Sequence, residues 1–483
     1  MLLKQDGFSC DYEMNVMLRL FFDMNEDAQV YTDLRHENGK INAFCEIKYN
    51  GDIYSFNYYY DCENIDDDKL KKKLYSSACA RAFCGAAKKI RKVSLPWGVM
   101  SGVRPAKAVT ALVNDGMSYE EAKAFISSVY GVSKAKCDLA AAVSKNEQEL
   151  LKKIKDKSVS IYIGIPFCPS RCLYCSFVST DIGISGKYIE DFMSLLCKEI
   201  KITSEMLKRL GLTVENIYIG GGTPTTLDAE KLCRLLSCVK ECFDLSEINE
   251  FTLEAGRPDT VTYEKLSAAK SFGVDRVSIN PQTTNDETLV RIGRRHDTEM
   301  FFDAFNIARK VGFKVINTDL IAGLPGESAD IFKKSIDDVV SLSPENITVH
   351  SMCIKRAAAL RFSGNTLTEA EVMNEMLSYA QNTLTDNGYS PYYMYRQKNI
   401  SGNLENVGYA KAGMMSFYNV NIMEEAQTII ALGGGGTSKL VMNDRIERVF
   451  NFKDPAEYIR RFDDIIERKK QMEAMLFKFY ERK

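Results

Sequence analysis

From Tyr162 to Asn387 the chain alternates short, apolar, β-prone runs with helical stretches six times, and nothing else in its 483 residues constrains the fold as strongly. Tyr162 to Ile165, Asn216 to Ile219, Glu250 to Glu254, Arg276 to Ile279, Lys314 to Ile321 and Asn346 to Ser351 read as strands. Helices are expected within Lys187 to Leu210, around Ala229 to Phe243, Thr262 to Phe272, Thr298 to Val311 and Ser328 to Leu342, and within Thr368 to Asn387. Successive βα units join parallel strands by right-handed crossovers, so the expected class is α/β, an open or partial (β/α)6 barrel. The stretch is short for the eight units of a closed barrel.

The flanking segments are patterned differently. Up to about Tyr60, Val16 to Phe22, Ala43 to Tyr49 and Ile53 to Tyr60 read as strands, the last two joined by the turn Asn50-Gly51-Asp52. From Asp66 to about Lys155 helix formers dominate, with breaks at Ser94 to Gly98 and at Val103-Arg104-Pro105. Trp97, at the first break, is expected to anchor that loop. The lysine-rich stretch Lys152 to Ser158 marks the main boundary. After Tyr389 the pattern turns irregular, with a glycine run, Gly433 to Gly436, and a charged helical tail from Pro455. The expected division is a β-rich unit over 1–62, a helical unit over 63–157, the partial barrel over 158–388 and a substrate-side extension over 389–483.

Composition narrows the function. The 63 basic and 65 acidic residues leave a net charge of -2, which argues against a general nucleic-acid surface. No run is long enough to span a membrane, and the first residues lack a signal-peptide pattern, so a cytoplasmic location is expected. Fourteen cysteines in such a chain suit thiols and metal ligands better than disulfides. Most of them, such as Cys233, Cys238 and Cys242, are expected to be small buried apolar side chains.

Three cysteines stand apart. Cys168, Cys172 and Cys175 have CxxxCxxC spacing and follow directly on the strand-like run Ser160 to Phe167, which puts them on a loop at a strand's carboxyl end, where α/β folds bind ligands. Three such thiolates can hold three irons of a [4Fe-4S] cluster and leave the fourth iron open. A structural zinc site would be closed by a fourth ligand, and the nearest histidine is far away in the sequence. Polar and glycine-rich groups end the later strands as well: Gly220-Gly221-Gly222-Thr223-Pro224-Thr225, Glu254 with Arg257-Pro258-Asp259, Asn280-Pro281-Gln282, and Asp319 before Gly323-Leu324-Pro325-Gly326. Their recurrence on one face of the sheet points to a shared site. Arg294, Arg295 and His296 follow the fourth strand, and guanidinium groups there suit a carboxylate. His36 and His350 lack partners at metal-site spacing, and His36 reads as structural.

Taken together, Tyr-x-x-Ile-Pro-Phe-Cys-x-x-x-Cys-x-Tyr-Cys from Tyr162, the Gly-Gly-Gly-Thr-Pro-Thr motif and Asp-Leu-Ile-x-Gly-Leu-Pro from Asp319 resemble the radical S-adenosyl-L-methionine (SAM) enzymes of the oxygen-independent coproporphyrinogen III oxidase group. The segment Leu95 to Pro105 further resembles the HemZ-type coproporphyrinogen dehydrogenase branch. The resemblance implies that Cys168, Cys172 and Cys175 ligate the cluster and that SAM binds at the open iron. It places Tyr162 and Tyr174 beside the cluster and SAM, Gly221, Gly222 and Thr223 at the methionine end of SAM, and Glu254, Gln282, Arg294 and Asp319 around SAM. Cys353 falls where a cofactor-contacting strand-end residue is expected. The implied reaction takes an electron from a reduced flavodoxin or ferredoxin-type donor. A 5'-deoxyadenosyl radical then drives decarboxylation of coproporphyrinogen III to protoporphyrinogen IX in haem biosynthesis. Arg295, Lys355, Arg356 and Arg396 are candidates to pair with the carboxylates of the tetrapyrrole substrate.

The chain departs from the oxidases at two positions. Phe177 stands where they have a fourth cysteine, and Gly164 where they have a histidine. Cys-x-Phe after the loop is similar to the haem chaperones of the same family, so a haem chaperone and a radical SAM enzyme acting on another tetrapyrrole are the alternatives. Replacing Cys172 by alanine is expected to abolish cluster absorbance and SAM cleavage, and an undiminished iron content in that variant would contradict the ligand assignment.

Overall fold

The structure is a computed structural model that describes residues 1–483 apart from 24, 63–66, 178, 354–367, 398–400, 444 and 482–483. The chain divides into two compact units, one of residues 1–145, 368–375 and 394–405, the other of the remainder.

In the first unit β1 (Leu2–Asp6), β2 (Ala28–Glu37), β3 (Lys40–Tyr49) and β4 (Asp52–Asp61) form a sheet in chain order, with β1 parallel to β2 and the rest antiparallel. Alternate residues of β2 and β3, among them Val30, Ile41, Ala43, Cys45 and Ile47, are buried in one core with α1 (Asp11–Phe21) and α2 (Asp68–Ala87). The stretch Val16 to Phe22, expected as a strand, lies almost wholly in α1. Its buried residues Met14, Met17, Leu18 and Phe21 recur at helical spacing, a period that the short apolar run around them conceals. Three more helices follow: α3 (Pro105–Asn114), started by a proline in its first turn; α4 (Tyr119–Tyr130), started by a Ser118/Glu121 capping box and stopped by left-handed Gly131; and α5 (Lys134–Leu151).

Trp97 is buried, donates from Nε1 to Glu405 at 2.6 Å, and has the Arg396 guanidinium 5.3 Å from its ring centre. Lys136 pairs with the same Glu405 at 2.5 Å, both side chains being buried. Arg396 itself donates to the carbonyls of Met100 and Gly102. Through these bonds it braces this unit. Lys355 and Arg356, the neighbouring candidates in sequence, lie outside the described residues.

The second unit is built on β5 (Ser158–Ile165). A short ribbon, β6 (Phe167–Cys168) with β7 (Thr180–Asp181), and the single turn α6 (Ile182–Ser185) follow it. Then the alternation proceeds: α7 (Ile189–Leu210), β8 (Thr213–Gly221), α8 (Ala229–Cys242), β9 (Glu250–Glu254), α9 (Tyr263–Ser271), β10 (Arg276–Ser278), α10 (Asp286–Arg291), α11 (Thr298–Val311), β11 (Val315–Ala322), α12 (Ala329–Ser341), β12 (Asn346–Ser351) and α13 (Ala370–Asp386), the last belonging to this unit from residue 376. The strands are buried on both faces, as a sheet covered by crossover helices requires. Each helix covering it buries one stripe, which on α7 includes Phe192, Met193, Leu196 and Ile200.

The chain beyond Tyr389 is more regular than its sequence suggests. After β13 (Ser390–Arg396), β14 (Glu405–Ala410) runs antiparallel to β12, and α14 (Phe417–Glu424) leads to β15 (Thr428–Gly433). β15 lies parallel to β5, as a seventh parallel strand ahead of the six expected. β16 (Thr437–Val441) and β17 (Ile446–Phe450) extend the sheet antiparallel, giving the order β13-β14-β12-β11-β10-β9-β8-β5-β15-β16-β17. Two helices, α15 (Pro455–Arg460) and α16 (Phe462–Tyr480), complete the unit.

A buried carboxylate ties this last segment down. Glu199 of α7, fully buried, accepts from Gly433 N (2.9 Å), Asn451 Nδ2 (2.9 Å), Tyr458 OH (2.7 Å) and Lys469 Nζ (3.1 Å). Removing one member of a buried pair strands the other charge, at a cost of about 3–5 kcal/mol. Glu199→Ala is expected to lower the unfolding free energy by that order in denaturant titration, and a loss below about 1 kcal/mol would deny the carboxylate its anchoring role.

Candidate functional site

Five strands each hold a half-exposed polar side chain among buried neighbours: Tyr162 on β5, Tyr218 on β8, Glu254 on β9, Asp319 on β11 and His350 on β12. An otherwise dry sheet thus opens at one polar row. Tyr218 donates to Glu254 Oε1 at 2.5 Å. Asp319 accepts from Asn280 Nδ2 and Asn317 Nδ2, both at 2.8 Å, and lies 3.8 Å from His350 Nε2. The rings of Tyr162, Tyr218 and Tyr418 stack on one another, the last two with centroids 4.4 Å apart. Enclosure pushes the Glu254 carboxyl up to about 7; the charge of Asp319 adds to this, while the hydrogen bonds from Tyr218 and the Gly221 backbone oppose it. Glu254 is therefore poised between its neutral and charged forms near neutral pH.

The cysteine loop stands at the carboxyl end of β5, framed by the β6–β7 ribbon. Cys168 and Cys172 are buried, Cys175 is half-exposed, and all three are free thiols. Burial raises the Cys168 thiol and takes that of Cys175 up to about 11. Such thiols are poor thiolates until a metal centre takes their protons. Among the described residues no three His, Cys, Asp or Glu side chains converge on a single metal ion. Three cysteines that each hold a different iron of a cluster need no such convergence.

Neighbouring segments fix the loop. Gly222 N donates to Ile165 O and Thr223 N to Phe167 O, both at 2.8 Å, and the Thr223 hydroxyl lies 3.4 Å from Cys168 Sγ. A Cβ on Gly222 would stand 2.6 Å from Phe167 O and 3.0 Å from the Cys168 sulfur, so only glycine allows this approach. Leu173 N donates to Ile292 O at 2.9 Å, while Leu173 and Tyr174 pack on Leu289, Ile292, Ile321, Leu324 and Met352.

Arg294 is occupied by protein groups. It donates to Tyr174 OH (3.0 Å), to the carbonyls of Gly256 and Asn280 (2.7 Å each) and from Nε to His296 Nδ1 (3.3 Å). Burial and the charges of Arg294 and Arg257 push His296 down to about 2, so its imidazole stays neutral and can accept. Arg294 thus acts first as a tether for Tyr174 and two strand-end turns, where the sequence suggested a free carboxylate clamp. Arg295 beside it is exposed.

Gln282 has a left-handed φ of 71°, held by Gln282 N to Asp319 O (3.0 Å) and Ile321 N to Gln282 O (2.9 Å). Cys353 is buried two residues beyond β12. Of the expected residues, the contacts join Cys168 to Thr223, Tyr174 to Arg294, Glu254 to Gly221, and Gln282 to Asp319.

Other residues also enter the site: Arg257 and Asn280, which the sequence placed among the strand-end polar groups without a role, His350, which it set aside as a metal ligand, and Tyr218, which it did not mark. Arg257 reaches the cysteine loop, Asn280 holds Asp319, Tyr218 holds Glu254, and His350 stands beside Asp319. Arg257 and Asn280 lie in the segments just after β9 and β10 and His350 near the end of β12, positions that the sequence can mark, whereas Tyr218 lies inside β8 and carries no such mark.

Residues 162–339 match the family model of the radical SAM superfamily. The chain is 40% identical, over 78% of its length and 77% of the other's, to the oxygen-independent coproporphyrinogen-III oxidase-like protein HemZ of Bacillus subtilis (strain 168). It is 30% identical to the heme chaperone HemW of Haemophilus influenzae, over 62% of this chain and 76% of that protein. Among solved structures, the coproporphyrinogen III oxidase HemN from Escherichia coli, a radical SAM enzyme, shares the fold with a TM-score of 0.51 at 22% identity, over 65% of this chain and 71% of that one.

The raised Glu254 carboxyl has a thermodynamic signature. A group that ionises near 4.5 when unfolded and near 7 when folded holds its proton longer in the native state, so stability falls as pH rises through that window. Urea midpoints of the native protein are expected to decline between about pH 4.5 and pH 7 more steeply than those of Glu254→Gln, and equal slopes would show that Glu254 titrates normally.

Proposed function

The chain belongs to the radical SAM superfamily, in its oxygen-independent coproporphyrinogen-III oxidase-like group, and from that premise we propose that it decarboxylates coproporphyrinogen III to protoporphyrinogen IX without oxygen. Members of the superfamily use a [4Fe-4S] cluster and SAM. When bound, these would supply a 5'-deoxyadenosyl radical able to take a hydrogen atom from a substrate propionate side chain, whose loss of carbon dioxide to leave a vinyl group also needs a one-electron acceptor for the remaining electron.

The single observation that carries the reading is the polar row beneath a three-cysteine loop, at the carboxyl ends of parallel strands. The donor set fits the cofactors. Cys168, Cys172 and Cys175 would each hold one iron, and Gly222 leaves room beside the first sulfur. Gly221, Gly222 and Thr223 would receive the methionine end of SAM, with Gln282, Arg294 and Cys353 among its surroundings. In its charged form Glu254, with Asp319, would hold cationic or hydroxyl groups of the ligand. Tyr162 and Tyr174 would wall the site and keep out water. The barrel would be the catalytic domain, in the expected cytoplasmic setting, supplied by a reduced flavodoxin or ferredoxin-type donor.

A second reading has its own support. Phe177, where the oxidases have a fourth cysteine, is 68% exposed, and relatives of the heme chaperone type match most of their own length. The anaerobic assay separates the two. Cluster-reconstituted protein given SAM, reductant and coproporphyrinogen III is expected to form protoporphyrinogen IX. Stoichiometric haem binding without that product would favour the chaperone, and a haem-derived product would favour an enzyme acting on another tetrapyrrole.

A further inference from the structure

We propose that Arg257, braced by Asp259, is a positioning residue that sets how readily a cluster carried by Cys172 accepts an electron. The inference rests on the reading of Cys172 as a ligand and adds to it a group outside the ligand set.

Arg257 lies three residues past Glu254 and is 3% exposed. All three of its guanidinium nitrogens are engaged. Nε and one terminal nitrogen donate to the two oxygens of Asp259, at 2.9 and 2.8 Å, in a bidentate pair. The other terminal nitrogen meets Ser170 O (3.2 Å), Ser170 Oγ (3.1 Å) and Cys172 Sγ (3.6 Å). One nitrogen thus grips the CxxxC turn and points at a ligand sulfur. Its origin is rigid too, because Thr260 donates to the Arg257 carbonyl from both N (3.0 Å) and Oγ1 (2.7 Å). The Thr260 hydroxyl pairs in turn with Thr225, at the end of the glycine motif, at 2.7 Å.

The consequence is electrostatic. Reduction adds negative charge to a cluster, and part of it resides on the sulfurs. Hydrogen bonds to those sulfurs, net charge and exposure are what set cluster potentials. An arginine stays charged at any relevant pH, and in a buried position its N–H···S contact is weakly screened. Arg257 therefore favours the reduced state, and Asp259, by sharing the guanidinium and adding negative charge, moderates the effect.

The test uses the full chain, reconstituted anaerobically with iron and sulfide and titrated with dithionite and mediators, with electron paramagnetic resonance as the readout and SAM absent. Arg257→Met with undiminished iron is expected to shift the reduction equilibrium at least tenfold toward the oxidised cluster, about 59 mV for a one-electron couple. Arg257→Lys is expected to recover part of that shift. Asp259→Asn leaves the arginine in place and is expected to move the equilibrium the other way, which keeps the proposal testable should Arg257→Met not assemble a cluster. Wild-type potentials in Arg257→Met, or in Asp259→Asn where Arg257→Met holds no iron, would overturn the proposal. A native protein that binds no iron would instead overturn the reading of the cysteines.

Discussion

Gly433, Gly164 and Gly220 stand side by side as register partners on three neighbouring parallel strands, and the arrangement above them depends on that absence of side chains. A Cβ on Gly164 would meet Gly434 O at 2.5 Å, and one on Gly220 would meet the Glu254 carboxylate at 2.8 Å. The backbone of β5 can therefore pass between its neighbours at close range and turn through Pro166 into the cysteine loop. The same contact accounts for glycine at 164, since a side chain there would press on Gly434, just past β15. The carboxylate of Glu254 takes up the space that Gly220 leaves, which brings it under Tyr218 and out of bulk water.

The cysteine loop itself contains little regular structure, and its shape comes from elsewhere in the chain. Two buried arginines clamp it, Arg257 at Ser170 and Cys172, Arg294 at Tyr174. Both spend most of their donors on fixed partners, the Asp259 carboxylate for one and two backbone carbonyls for the other. A planar guanidinium saturated in this way behaves as a rigid bracket, whereas a lysine at either place would offer a mobile point charge. Between the brackets, Leu173 and Tyr174 sit on an apolar cluster, so the loop has a dry floor as well as polar walls.

The six βα units could be read from the chain because each strand is a short apolar run next to its own helix, a purely local signal. The cysteine spacing and the glycine motif are local in the same way. α1 was misread because Val16 to Phe22 is apolar at nearly every position, and its helical period shows only when Met14 is included. β15 was missed because its meaning lies in a partner at the other end of the unit: Gln427, just before it, contacts Ser160 across 267 residues. The particular contacts of Arg257 and His350 are hidden in the sequence for a related reason. A charged residue after a strand is ordinarily solvated, and only the assembled sheet shows that Arg257 turns inward to a sulfur and that His350 stands beside Asp319.

That seventh strand also bears on how the molecule comes into being. The strand β5, which leads into the cysteine loop, has β8 on one side and β15 on the other, and the second neighbour is made only after the other parallel strands of the sheet. Through most of translation β5 is an edge strand, with a row of unpaired backbone groups and a loop of thiols at its end, open to misplaced partners and to oxidation. The contact that closes this edge is among the most distant in sequence, the kind that forms slowly because a long loop must be ordered first. A chain cut short before Thr428 would retain Cys168, Cys172 and Cys175 yet lack the strand that pairs with β5 beside their loop.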